Sequence, residues 1–381
     1  MRPTVPRLEA EPQSRVSSGG FRLGHRTCLD GLRGIAVLSV LVAHANLVGG
    51  CLGSMGVDIF FALSGFLITC LLLEEWDELH AVSLKAFYMR RVLRLLPALS
   101  VMLVVFVAFH WCFSPRVAAR QSAVHALIAL FYSSNWAFAL GFRQPVHSFA
   151  HTWTLSIEEQ FYLTWPAILL LLLRRTGFRA SMLTWVVFGL FIIVLEKVMI
   201  LVATANGGAL WLNFATEARA DALLSGCAAA IALSSGLLPS SPWPKLGLKS
   251  VAWGVALPGL VLLNVCDVPA EFYRLGLDLA FAVLAVVIIL HILIEPTGVL
   301  HRFLGLRWLG YFGKISYGLY LWHYPVFLQV QTQHWPQVKE LTIELALTGV
   351  ATLASFYLLE RPILQFKRRF AYSRAGHGRS G

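Results

Sequence analysis

Ten runs of apolar residues, at 31–49, 54–73, 95–113, 155–173, 181–203, 219–236, 250–266, 275–294, 315–330 and 338–358, are separated by short polar connectors. Each approaches the roughly 20 residues that a helix needs to cross a bilayer. Such blocks constrain the fold severely. In hydrocarbon a spanning segment must satisfy its own backbone hydrogen bonds, which leaves helices or closed barrels, and runs of this length are helical. The chain is 57% hydrophobic and only 13% charged, where soluble domains carry about 25% charged residues. The expected fold class is therefore all-α: a polytopic membrane helical bundle of about ten transmembrane helices, with the lipid bilayer as its solvent.

The basic residues set the orientation, because Lys and Arg concentrate in cytoplasmic connectors. Lys85, Arg90, Arg91 and Arg94 form one cluster, and Arg174, Arg175 and Arg179 another. Lys245, Lys249, Arg302, Arg307 and Lys314 fall in connectors on that same side. The connectors at 50–53 and 204–218 are expected outside and hold no Lys or Arg. Both termini are then cytoplasmic. An eleventh run, 122–142, would reverse this pattern if it crossed. The segment 114–154 is accordingly expected to be a long outer insertion, re-entrant or interfacial, although Arg116, Arg120 and Arg143 count against that side. Residues 1–26 form a polar leader without a cleavable signal peptide, expected to be disordered on the inner side. Residues 27–362 make the membrane domain and 363–381 a basic cytoplasmic tail. The net charge of +11 is distributed over connectors rather than over a basic face with interleaved aromatics, so no nucleic-acid partner is expected. The six cysteines show no metal-ligand spacing and read as buried thiols.

Ionisable side chains at membrane depth are costly and mark candidate functional sites. Arg33 and His44 lie on one face of the first run, about 16 Å apart along a helix. Measured from a turn near Cys51, His44 and Asp58 should share a depth in the outer half. Glu158, Asp221 and His323 are expected in the same layer. At the opposite edge Arg33 joins Arg91 and Arg94, which are three residues apart and neighbours on a helix. Arginine forks suit phosphate oxygens. The plainer alternatives are a helix-end arginine, a satisfied histidine and arginines that serve orientation alone. A cation layer and a base layer about 16 Å apart match the pantetheine arm of an acyl-CoA entering from the cytoplasm. A transporter or flippase for acyl groups or lipid-linked sugars would also place polar groups at depth, but the repeat-related broken segments common in transporters are not apparent.

Five blocks carry a family resemblance. They are Leu29–His44, Gly56–Thr69 (GVDIFFALSGFLIT), Phe87–Pro97 (FYMRRVLRLLP), His151–Tyr162 (HTWTLSIEEQFY) and Ser316–Pro325 (SYGLYLWHYP). In this order they resemble the acyltransferase 3 family of inner-membrane O-acyltransferases, with Arg33 and His44 in its Arg-x10-His pattern and Arg91 and Arg94 in its Arg-x-x-Arg pattern. The resemblance implies a multi-pass inner-membrane enzyme of the stand-alone form, without a fused esterase-like domain. Its donor substrate would be acyl-CoA, most often acetyl-CoA, with no permanently bound cofactor and no metal. The acceptor would be a hydroxyl of a glycan or glycolipid, such as lipopolysaccharide, on the outer side. Within that chemistry His44 is the expected general base, oriented by Asp58 as in other acyl-transfer triads. Glu158 or Tyr320 would bind the acceptor or assist proton transfer. His323 is expected to contact substrate. Ser64 lacks a nucleophile-elbow context and is expected to be a hydroxyl donor, which favours direct transfer over an acyl-enzyme.

The orientation can be checked in a background lacking the native cysteines. A cysteine placed at position 177 is expected to resist membrane-impermeant thiol reagents applied to intact cells. Strong labelling from outside would overturn the ten-span arrangement.

Overall fold

The computed structural model describes residues 22–47, 51–142, 149–176, 179–203, 208–237, 242–265 and 277–366. Among them no strand occurs, and helix follows helix. In chain order these are α1 (Thr27–His44), α2 (Leu52–Leu79), α3 (Leu84–Phe113), α4 (Arg116–Leu130), α5 (Ser134–Ala139), α6 (Thr152–Thr176), α7 (Arg179–Ala203), α8 (Ala209–Phe214) and α9 (Thr216–Ser234). A rod of α10 (Pro242–Val251), a π-helical turn (Ala252–Ala256) and α11 (Leu257–Val265) comes next. It is followed by α12 (Asp278–Ile294), α13 (Val299–Leu304), α14 (Arg307–Gln331), α15 (Gln337–Ala354), a second π-helical turn (Ser355–Glu360) and α16 (Arg361–Phe366).

By length and composition, six described segments suffice to cross a membrane: α1, α2, α3, α7, Leu246–Leu263 and Gln337–Gln365. The other four expected spans are also helical, but they differ in character. α6 carries Glu158 and Glu159, α9 carries Glu217, Arg219 and Asp221, and α12 is only 17 residues long. α14 is 25 residues long, with Arg307 and Lys314 in its first turns. The run 122–142 is not one helix. α4 has 15 residues, about 22 Å, folds back on α3, and ends before Tyr132, whose φ of 51° breaks the helical path. α5 starts afresh beyond it.

α1 packs on α14 and α2, and α2 packs on α9 and α12. Membrane helices associate through close packing because lipid gives no hydrophobic drive between them, so small residues collect at the crossings. A Cβ on Gly65 would sit 1.9 Å from the Leu223 carbonyl oxygen, and one on Gly226 would sit 2.0 Å from that of Ala62. At the α1–α14 crossing, a Cβ on Gly313 would sit 1.9 Å from the Asp30 carbonyl oxygen. Backbone touches backbone at these points.

The α1–α2 hairpin corrects one expectation. Gly53 faces Ala43, and Gly56 faces Ala36 and Ser39, a pairing of the two helices that is not symmetric about Cys51. Asp58 therefore lies about two helical turns, roughly 10 Å, deeper than His44. Of the polar leader, residues 22–26 run beside α2. Leu23 is buried, the backbone amides of Leu23 and Gly24 donate to Glu74, and Arg22 pairs with Glu78 at 3.1 Å. Residues 1–21 and 367–381 lie outside the described residues. Cys28, Cys51, Cys70 and Cys227 are buried as expected, whereas Cys112 is exposed, and Cys266 lies outside the described residues.

Gly226→Val is expected to cost at least about 1–3 kcal/mol through overpacking, read as a lowered Tm in detergent. Gly349→Val, where a Cβ meets nothing within 4 Å, is expected to leave Tm unchanged. Equal stability of the two variants would contradict the backbone contact.

Candidate active site

At the Arg33 end of the bundle a cavity of about 320 Å³ opens among α1, α2, α3 and α6. Arg33, Arg91 and Arg94 all line it. Their neighbours are differently placed: Arg90 pairs with Glu75 at 3.2 Å, and Arg179 pairs with Asp77. Arg33, Arg91 and Arg94 form no salt bridge among the described residues. Arg91 instead lies 4.2 Å over the Tyr162 ring, a cation–π contact that fixes its direction without neutralising it. The carboxylate facing this cluster is Glu158, whose Oε1 accepts a 2.5 Å hydrogen bond from Ser64 Oγ. Glu158 lies within electrostatic reach of all three guanidinium groups, Glu159 of Arg91 and Arg94, and Glu360 of Arg94. The sequence grouped the three arginines correctly. It placed Glu158 with His44, but the structure places Glu158 with the arginines, because the Ser64 hydroxyl on α2 meets α6 at that level.

The cavity continues into a neck of about 60 Å³ that shares Arg33, Ser64, Arg91 and Arg94. Val57 and Tyr320 line both the neck and a far chamber of about 630 Å³. Successive spaces thus share walls between the Arg33 end and the His44 end. Tyr320 guards the junction: its hydroxyl donates to the His151 carbonyl at 2.9 Å and meets Thr154 Oγ1 at 2.6 Å.

His44 is the last residue of α1 and lines the far chamber. Its Nδ1 lies 2.9 Å from the Val40 carbonyl oxygen. A carbonyl only accepts, so Nδ1 carries the proton of the neutral ring and Nε2 holds the lone pair. The His323 and Tyr324 rings each lie 5.1 Å from it. Gln331 Nε2 bridges the His44 carbonyl and Glu344 Oε1, at 2.9 Å each, which ties the end of α1 to α14 and α15.

Asp58 does not orient His44. Fully buried, it pairs with Arg219 at 2.6 Å, and Arg219 also pairs with Asp278. Asp221, expected in the His44 layer, pairs with Lys197 at 2.5 Å. The cause is the α2–α9 crossing, which brings Arg219 against α2 about 10 Å below His44. Two site residues went unselected in the sequence. Arg219 was legible as a cation two positions from Asp221 in an apolar run. His151 opens the fourth block, yet it precedes α6 and so falls outside any expected span. Among the described residues no cluster of His, Cys, Asp and Glu is built to hold a metal ion.

Residues 26–360 match the family described as Acyltransferase domain. The chain is 34% identical over 350 residues to "Peptidoglycan O-acetyltransferase OatA" of Listeria monocytogenes, a match covering 88% of this chain and 55% of that protein. It is 32% identical over 356 residues to "O-acetyltransferase OatA" of Staphylococcus aureus, covering 88% of this chain and 56% of that one. The chain therefore spans about half the length of the curated relatives it matches. No solved structure matches it.

Arg219→Met is expected to destabilise the protein by about 3–5 kcal/mol, since two buried carboxylates lose their partner at once. Asp58→Asn should cost less, because Arg219 keeps Asp278. Thermal unfolding in detergent reads both; equal and negligible losses would contradict the ion cluster.

Proposed function

The chain belongs to the family described as Acyltransferase domain, and from that premise we propose that it is a multi-pass inner-membrane O-acetyltransferase acting on a glycan hydroxyl. The observation that carries this reading is a series of cavities with shared walls, from the arginines without salt bridges, past Val57 and Tyr320, to the unprotonated nitrogen of His44. Acetyl-CoA enters at the Arg33 end, which is cytoplasmic along with both termini, and the bundle crosses the bilayer ten times. Arg33, Arg91 and Arg94 hold the phosphates by charge-assisted hydrogen bonds. The pantetheine arm reaches along the face of α1, about 16 Å from Arg33 to His44. The acceptor enters the far chamber from the outer side. Its hydroxyl gives its proton to His44 Nε2 as its oxygen attacks the thioester carbon. The new C–O bond forms, the C–S bond breaks, and the departing CoA thiolate takes the proton back from the imidazolium. Transfer is direct, with Ser64 engaged by Glu158 rather than poised as a nucleophile. Ser64 and Glu158 belong to the donor side, where the carboxylate keeps part of the arginine charge compensated before the donor arrives.

The relatives are named for O-acetylation and one for peptidoglycan, which favours a peptidoglycan-type acceptor over lipopolysaccharide. A flippase for lipid-linked sugars is disfavoured by the neck, whose 60 Å³ suits a flexible chain rather than a sugar ring.

With acetyl-CoA and envelope glycan as substrates, His44→Gln is expected to lose at least about 100-fold in turnover while keeping donor affinity. Arg91→Ala is expected to raise the donor KM about tenfold, from the loss of a charge-assisted contact. Near-normal turnover of His44→Gln would remove it as the base.

A further inference from the structure

The side chain of His151 is distinctive in its chemistry. The ring is 3% exposed and lines the far chamber with His44. Its Nε2 lies 3.1 Å from the Leu321 carbonyl oxygen, so Nε2 carries the proton and Nδ1 the lone pair. That Nδ1 has no hydrogen-bond partner. A buried polar atom left without a partner costs about 1–3 kcal/mol, a cost that a donor brought in beside this chamber-lining residue would remove. The ring is also held in place. It stacks on Tyr324 with centroids 5.1 Å apart and planes at 28°, and its carbonyl anchors Tyr320.

His44 and His151, each with its ring 5.1 Å from that of Tyr324, therefore present the same pattern. Each ring has its N–H committed to a backbone carbonyl and its other nitrogen available to accept. A simple alcohol offers one O–H and can satisfy only one of the two. A carbohydrate offers several. Trp153, held edge-to-face by Phe214 at 5.2 Å, also lines this chamber and supplies an aromatic surface for the apolar C–H face of a sugar ring.

We propose that His151 is an acceptor-binding residue: its Nδ1 accepts a hydrogen bond from a second hydroxyl or N–H of the sugar whose reacting hydroxyl is deprotonated by His44. The inference rests on the O-acetyltransferase reading above and adds the residue that distinguishes a polyol acceptor from water or a monoalcohol. His151→Phe keeps a ring against Tyr324 and removes the acceptor atom. His151→Asn keeps an oxygen close to the Nδ1 position.

The test uses the full chain in two arms. In cells whose envelope glycan lacks O-acetyl groups without this protein, the O-acetyl content is measured by mass spectrometry. On the purified proteins, acetyl-CoA hydrolysis, with water as acceptor, is measured by CoA release. His151→Phe is expected to lower glycan acetylation at least tenfold while hydrolysis stays within twofold of the wild type, and His151→Asn is expected to recover most of the acetylation. The proposal is overturned if His151→Phe acetylates glycan at the wild-type level. It is equally overturned if both variants lose acetylation and hydrolysis together, since that describes a packing role. A wild-type protein that hydrolyses acetyl-CoA but never acetylates glycan would instead overturn the parent reading.

Discussion

Direct backbone contact between helices at glycine is the constraint from which the rest of the architecture follows. In lipid, two helices gain nothing by hiding apolar side chains from one another, so the crossings are held by close van der Waals fit. Gly313 lets α14 lie against the Asp30 carbonyl, and Gly65 and Gly226 let α2 and α9 touch reciprocally. The first crossing sets the stripe from Arg33 to His44 opposite Tyr320 and His323. The second brings Arg219 onto Asp58. A polar passage between helices is tolerable because these contacts hold its walls without needing the passage itself to be packed.

The charges divide along the same line. Where a cation serves the scaffold it has a carboxylate: Arg90 with Glu75, Arg179 with Asp77, Lys197 with Asp221, and Arg219 with Asp58 and Asp278. Removing one member of such a buried pair is costly, and these pairs tie α2 to α3, α7, α9 and α12, or α7 to α9. Arg33, Arg91 and Arg94 stand apart. They converge on one cavity whose facing carboxylate, Glu158, is already hydrogen-bonded to Ser64. Three guanidinium groups that converge without a salt bridge in a half-buried cleft are suited to an anion that engages them directly.

The helices were legible in the sequence because hydropathy acts over segments of spanning length, and each of the ten expected runs holds a helix among its described residues. The arginine cluster was legible because two of its members are three apart on one helix and the third begins the Arg-x10-His stripe. The place of Asp58 is not legible in the sequence for two reasons. The helices of the hairpin do not pair symmetrically about Cys51, and the partner of Asp58, Arg219, lies 161 residues away. Nothing in local pattern encodes that pairing; it depends on the register of α2 against α9. Glu158 moved from the histidine side to the arginine side for the same reason, through the Ser64 contact. His151 escaped notice because it belongs to a segment entering α6 rather than to the helix proper.

The central claim is that one passage joins the arginine cluster to His44 and that the donor lies along it. The most direct measurement is a cryo-EM structure of the protein with a non-cleavable acetyl-CoA analogue in which CH2 replaces the thioester sulfur. The bound analogue is expected with its phosphates among Arg33, Arg91 and Arg94, its arm through the neck between Val57 and Tyr320, and its acetyl carbonyl in the chamber beside His44 Nε2. Phosphates bound elsewhere, or an acetyl group that stops on the arginine side of Tyr320 with the neck closed, would contradict the claim.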